Sequence, residues 1–331
     1  MKKYIALMLS VLVFTSSAQS IHNAFLLNDY PDTKSSKKVE ILIESGDTGT
    51  KIAEKLYRSG VIKATKVFYK LAINEKRSNS ISPGIHEIDL KISAKAALDQ
   101  LLDPERNRGV FGFTEGLRKN EIFDMLKESN LVSGNLSASV KPDKIYKSSN
   151  LEGFLFPAQY SFIPGTTTDD AVNQMLMRFN LAAKSSKIDQ GFNGFSPFEL
   201  VTIASIIQAE GDPQDFTKIA RVIYNRLKIN MPLQMNATVD YATNRRGKIR
   251  LPYKQLDVNS RYNTYKYQGL PPGPIGNPGQ EALNAAVNPA SGDWLYFITV
   301  KPQDTRFTKN FDEFNTWVNE FRRNEKAGLF K

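Results

Sequence analysis

The 331-residue sequence predicts an α+β protein of two domains, and three features predict it. Residues 39–102 alternate strand and helix periods within a short span. The run Asp103-Pro104-Glu105-Arg106-Asn107-Arg108-Gly109 breaks that pattern with proline, glycine and charge. Beyond it, helical periods dominate, with isolated strand-like segments between them. The expected organisation is a leader over 1–20, a polar tether over 21–38, a small βααβ domain over 39–105 and a larger mixed α+β domain over 106–331.

The leader has Lys2 and Lys3, an apolar run from Tyr4 to Phe14, and small residues from Thr15 to Ala18. This is the pattern of an export signal. Its apolar run is about half of what a membrane-spanning helix needs, so cleavage and retention as an anchor both stay open. The string from Asn28 to Lys37 has no apolar period and reads as the tether.

In the small domain, Val39, Ile41 and Ile43 alternate as a strand, with a turn at Ser45-Gly46-Asp47. Ile52, Ala53, Leu56 and Tyr57, then Val67, Phe68, Leu71 and Ala72, recur at helical spacing. Ile85, Ile88 and Leu90 predict a returning strand, and Ala96, Ala97, Leu101 and Leu102 another helix. The strand ending in Glu44-Ser45-Gly46-Asp47-Thr48 and the helix after it resemble a LysM-type carbohydrate-binding module. That resemblance implies glycan binding, with a plain structural spacer as the alternative.

In the larger domain, strand character at Val110–Phe113 precedes helices from Lys119 to Lys127 and from Asp169 through Phe179. A strand over Trp294–Val300 and an amphipathic helix over Phe311–Arg323 close the chain. The clearest local signal is Ser196-Pro197-Phe198-Glu199, a capping box with proline at the first helical position. Leu200, Ile203, Ala204, Ile206 and Ile207 predict an apolar face, and Glu210 falls on that face in the last turn. Gly211 then ends the helix. An apolar surrounding and the negative end of the helix both disfavour a carboxylate, which suits Glu210 to general-acid chemistry. The alternative is an idle, half-exposed helix end. The next helix carries Phe216, Ile219, Ala220, Ile223 and Leu227 inward, with Arg221 and Arg226 expected outward as solvated charge.

Two segments, Leu233 to Tyr241 and Arg261 to Tyr265, mix amides, hydroxyls and aromatic rings. Such mixtures suit sugars, whose hydroxyl and acetamido groups need polar partners and whose ring faces stack on aromatics. Gln234, Thr238, Tyr262, Asn263 and Tyr265 are the candidate substrate contacts; buried polar turns are the alternative. Gly269 to Gly279 holds four of the 16 prolines and predicts a stiff loop that walls a cleft beside Tyr262–Tyr265.

Composition narrows the chemistry. No cysteine is present, which excludes thiolate nucleophiles, disulfides and Cys-ligated metals, and the two histidines, His22 and His86, read as ordinary surface residues. Neither a metal nor a nucleotide cofactor is expected. The net charge of +10 points to anionic or membrane-adjacent partners. Nucleic acid is set aside, because the basic residues are scattered and no stripe interleaves them with aromatics.

Ile203-Ala204-Ser205-Ile206-Ile207-Gln208-Ala209-Glu210, Val222 to Leu227, Leu233-Gln234, Ala237-Thr238-Val239, Tyr262 to Tyr265 and Gly269 to Ile275 together resemble the endolytic murein transglycosylases, the MltG or YceG-like family. Leu151-Glu152-Gly153-Phe154-Leu155-Phe156-Pro157 is also similar, although the family usually continues Asp-Thr-Tyr where this chain has Ala158-Gln159-Tyr160. The resemblance implies cleavage inside peptidoglycan glycan strands, with Glu210 as general acid and base, giving a 1,6-anhydro-muramic end without a second carboxylate. It implies a single-pass inner-membrane protein with its catalytic part in the periplasm, or a soluble periplasmic one after cleavage. Peptidoglycan is then the partner, with peptidoglycan synthases as family-implied companions and a monomer as the expected state. A hydrolase would need a second acid, for which Asp212, Asp215, Asp240 and Asp257 are candidates. A muramidase using water and a non-catalytic peptidoglycan-binding protein are the alternatives.

Overall fold

The computed structural model describes residues 28–31, 37–44, 46–75, 80–246 and 256–330. The leader, His22 and most of the tether lie outside the described residues. The chain divides into two compact units: Met1–Phe111 with Gln159–Thr166, and Gly112–Ala158 with Thr167–Lys331.

The smaller unit is built on β1 (Lys38–Ile43), α1 (Gly49–Arg58), α2 (Thr65–Asn74), β2 (Gly84–Asp89) and α3 (Ala94–Leu102). The strands pair antiparallel from Lys38 opposite Asp89 to Ile43 opposite Gly84. Inward residues of the pleat, Ile41, Ile43 and Ile88, meet Ile52, Leu56, Phe68 and Leu98 in one apolar core. Thr48 caps α1, its hydroxyl accepting from Lys51 N at 3.3 Å. Behind the cap, burial pushes the Asp47 carboxyl up, but Lys51 and Lys55 outweigh it and hold Asp47 at about 2. A cavity of about 620 Å³ opens over this turn, walled by Glu44, Asp47, Thr48, Tyr69 and Ile73. His86 corrects the sequence reading, because it is 1% exposed. It lies on the inward face of β2 with Ile88, and its Nε2 meets Ser82 O at 2.8 Å and Asn107 Nδ2 at 3.3 Å. Burial lowers its pKa. The unit continues into β3 (Val110–Gly112), which joins β4 (Gln159–Ser161) in a two-stranded sheet.

The larger unit holds α4 (Lys119–Glu128), α5 (Thr168–Ser186), α6 (Pro197–Glu210), α7 (Phe216–Lys228), α8 (Asn236–Ala242), α9 (Gln280–Val287), the hairpin β5 (Tyr296–Lys301) and β6 (Asp304–Thr308), and α10 (Phe311–Lys326). The capping box forms as the sequence predicts: Ser196 N donates to Glu199 Oε2 at 2.8 Å and Glu199 N to Ser196 Oγ at 3.4 Å. However, α6 is not amphipathic. Leu200 through Ile207 are all buried, serine and threonine included, because α7, α8 and α9 pack around the helix. Thr202 and Ser205 satisfy their hydroxyls on Phe198 O and Thr202 O of their own helix. So the middle of α6 is the axis of the unit, and its first and last turns emerge.

The proline-rich loop is largely interior, with Ile275 contributing to the wall of a cleft and Gly273 beside Tyr262. Ile275 N donates to Ser205 Oγ at 3.0 Å, Asn277 N to Leu117 O at 2.9 Å, and Gly279 N to Gln208 Oε1 at 3.0 Å. These bonds fasten it between α6 and the segment before α4. Gly153 shows how tight that seam is: it sits at φ +90°, and a Cβ there would come within 2.6 Å of Pro274. Strain and overpacking therefore act together, and Gly153→Ala is expected to destabilise the larger unit by about 3 kcal/mol. Calorimetry should register a fall in melting temperature of about 6 to 12 °C.

Candidate active site

The last turn of α6 carries Gln208 and Ala209 into a cleft of about 560 Å³, which Arg118, Ala237 and Asp240 also line, and Glu210 follows Ala209 at its edge, half-buried. Glu210 is the last helical residue; Gly211 turns the chain away in an extended conformation. The carboxyl is met by α8: Ala237 N donates to Glu210 Oε1 at 2.8 Å. Burial pushes the Glu210 carboxyl up from 4.5 to about 7, and the like charge of Asp240 adds to it. The Ala237 N–H and the Arg226 charge act in the opposite sense. The balance leaves the carboxyl well above the ordinary glutamate range, where the protonated form is available near neutrality.

The segment from Leu233 to Tyr241, read from sequence as a polar strip, is for the most part the short helix α8. Its entry is fastened to the second strip. Gln234 N donates to Thr264 O at 3.1 Å, Met235 N to Thr264 Oγ1 at 3.0 Å, and Tyr265 OH to Asn236 Oδ1 at 2.6 Å. Of the five predicted contact residues, Thr238 and Asn263 are fully enclosed. Thr238 Oγ1 donates to Met235 O, and Asn263 Nδ2 to Leu256 O and Val258 O, so both spend their polar groups internally. They brace the strips instead of lining an open surface. Gln234 is exposed, in the left-handed region at φ +50°. Tyr265 lies close to Glu210: burial and that carboxyl push its hydroxyl up to about 12. Tyr262 stands against Tyr241, ring centroids 4.8 Å apart.

Of the four candidate second acids, Asp240 alone lines the cleft. Asp212 and Asp257 are exposed, and Asp215 is buried at the start of α7. Asp212 precedes the short turn before α7 and makes no side-chain cap bond.

Sequence reasoning missed Glu152, which is 2% exposed. Its Oε1 accepts from Lys119 N at 2.9 Å and Asn277 Nδ2 at 3.3 Å, and its Oε2 from Tyr241 OH at 3.1 Å. Burial raises its pKa. An acid inside the apolar string Leu151–Pro157 was the available signal. Also missed was Arg118, whose guanidinium lies 5.1 Å over the Tyr241 ring and donates to Arg245 O. Arg226 corrects the reading outright. It is 6% exposed, donating to Leu295 O at 2.6 Å and Leu233 O at 2.5 Å, with its guanidinium 5.4 Å over Tyr296. Among the described residues, no three His, Asp or Glu side chains gather as a metal-binding set.

Residues 41–320 match the model of the YceG-like family. The chain belongs to the YceG-like family. It is 33% identical over 314 residues to an endolytic murein transglycosylase of Bacillus subtilis strain 168, covering 86% of this chain and 85% of the relative. A Streptococcus pneumoniae protein of the same name is 39% identical over 155 residues, 45% of this chain and 28% of that one. The crystal structure of a yceG-like protein from Listeria monocytogenes superposes with a TM-score of 0.57 at 26% identity, over 85% of this chain and 99% of that one. In this YceG-like chain the family match therefore reaches into both units described above.

The raised Glu210 pKa has a consequence for stability. A carboxyl that titrates at about 4.5 unfolded and about 7 folded binds its proton more tightly in the native state. The native state therefore loses stability as pH rises from about 4.5 through 7. Glu210→Gln removes that loss while keeping an acceptor for Ala237 N–H. At pH 8 the variant is expected to be more stable than the parent by about 3 kcal/mol, and at pH 4.5 nearly equal to it. Melting curves at the two pH values check this.

Proposed function

We propose that this chain is a peptidoglycan lytic transglycosylase that cuts within glycan strands, with Glu210 as its single general acid and base. The observation that carries the reading is the Glu210 carboxyl at the end of α6, met at 2.8 Å by the Ala237 N–H at the start of α8, with burial raising its pKa and that N–H moderating the rise. The relatives named endolytic murein transglycosylases support the substrate class.

In the forward step, protonated Glu210 gives its proton to the oxygen joining N-acetylmuramic acid to N-acetylglucosamine. The bond from muramic C1 to that oxygen breaks. The resulting carboxylate removes the proton of the muramic C6 hydroxyl, O6 bonds to C1, and a 1,6-anhydro end forms with no water consumed. Glu210 finishes protonated, as it began. Tyr265 and Asn236, joined at 2.6 Å, and Gln234 present the polar groups beside the reacting bond, while Tyr262 offers a ring for stacking. Thr238 and Asn263 hold these groups in place from beneath.

The smaller unit is read as a glycan contact, its cavity over Asp47 and Thr48 taking a sugar against Tyr69. Tyr69→Ala is expected to lower retention of the full chain on insoluble murein about tenfold, the loss of one stacked ring. The leader places this activity at the wall-facing side of the membrane, either anchored or released. No described helix is long and apolar enough to cross a membrane.

Digestion of purified murein followed by mass spectrometry tests the reaction. Fragment ends one water lighter than reducing sugars, with the rate falling at least about 10³-fold in a folded Glu210→Gln protein, are expected. Reducing ends would overturn the transglycosylase reading in favour of hydrolysis and direct attention to Asp240. No cleavage by a folded parent protein that binds murein would leave a binding protein.

A further inference from the structure

Arg226 is a buried cation that makes no hydrogen-bonded ion pair among the described residues. Among the described residues its hydrogen bonds go to three main-chain carbonyls, Leu295 O at 2.6 Å, Leu233 O at 2.5 Å and Pro232 O at 3.5 Å. Its remaining face lies over Tyr296. Burying a guanidinium without a carboxylate costs several kcal/mol, and a surface arginine or an apolar residue would avoid that cost on α7. Structural bracing explains the carbonyl bonds; it does not explain the charge.

Two facts explain both. Pro232 and Leu233 immediately precede the segment whose Ala237 N–H meets Glu210, so the guanidinium fixes the approach of the one donor on the catalytic carboxyl. Arg226 is also the cation that acts on Glu210 electrostatically from α7, opposite Asp240 acting from α8. Among the described residues, the Ala237 N–H and the Tyr265 hydroxyl also act on the carboxyl or feel its charge.

We propose that Arg226 is a positioning residue for the acid–base cycle: it clamps the Pro232–Leu233 carbonyls so that Ala237 meets Glu210, and its unpaired buried charge balances the carboxylate that exists between the two proton transfers. The inference rests on the catalytic reading of Glu210 and adds to it the group that makes the ionised state reachable. Asp240 on α8 acts on the carboxyl in the opposite sense.

Sign and size follow from electrostatics. Removing a positive charge near an acid raises the pH at which the acid titrates. The expected upward shift is about half a pH unit or more for a neutral substitution, and none for lysine, which keeps the charge but cannot span the same carbonyls.

The test uses the full chain with two variants, Arg226→Gln and Arg226→Lys, and two readouts. One is the pH profile of murein cleavage; the other is the titration of the Glu210 carboxyl carbon by NMR in 13C-labelled protein. Arg226→Gln is expected to lose about 100-fold in rate, with the basic limb and the carbon titration both moved up. Arg226→Lys is expected to lose about tenfold with both left in place. Equal losses in the two variants with no movement of either titration would overturn the charge role. Near-normal rates in Arg226→Gln would overturn the positioning role. If Arg226→Gln does not fold, Arg226→Lys decides: a titration moved despite the retained charge contradicts the proposal, and one left in place with a lowered rate supports it. The NMR titration reads the Arg226 effect even where the parent protein cleaves no murein, so failure of the catalytic reading is seen separately.

Discussion

The hydrogen bond from Ala237 N to Glu210 Oε1 is the contact on which the larger unit is organised. It joins the end of α6, buried from Leu200 to Ile207, to the start of a seven-residue helix too short to be stable alone. Everything that fixes one end of this bond is spent on α6: its capping box, its all-round burial, and the proline-rich loop fastened to Ser205 and Gln208. Everything that fixes the other end converges on the Leu233–Ala237 entry, held by Thr264, Arg226 and the Tyr265–Asn236 pair.

That arrangement sets an electrostatic balance. Burial alone drives Glu210 toward the neutral acid, and Asp240 pushes the same way. A single N–H and one buried guanidinium pull back, leaving the group near 7 rather than locked as an acid. A reaction that uses one carboxyl twice needs both states within reach, because a group held fully protonated cannot serve as base in the second step. Glu152, by contrast, is an acid whose oxygens are occupied by Lys119 N, Asn277 and Tyr241, and it serves to knit the loop to α8.

Much of this was legible in the sequence where local rules decide. The capping box, the proline at the first helical position and the glycine after Glu210 marked α6 to within a residue, and the alternation of Ile41 and Ile43 marked β1. What stayed hidden depends on neighbours distant in sequence. The α8 segment has no helical period because contacts with Thr264 and Glu210, not an apolar stripe, hold it. The polar Thr238 and Asn263 read as surface because residue type cannot reveal an internal partner. Arg226 was misread despite its position three residues beyond Ile223, on the buried stripe, since charge was weighed above period. His86 repeats that lesson in β2, two residues from Ile88 on the same face.

The central claim is that the Glu210 carboxyl is the group that meets the scissile oxygen. A crystal structure of Glu210→Gln with a muramic-acid-containing oligosaccharide tests it most directly. The account predicts an intact glycosidic oxygen within about 3 Å of the residue 210 side chain, with the neighbouring sugar against Tyr262 and Tyr265. An oligosaccharide seated in the cleft with its glycosidic oxygens beyond hydrogen-bond reach of residue 210 would contradict it.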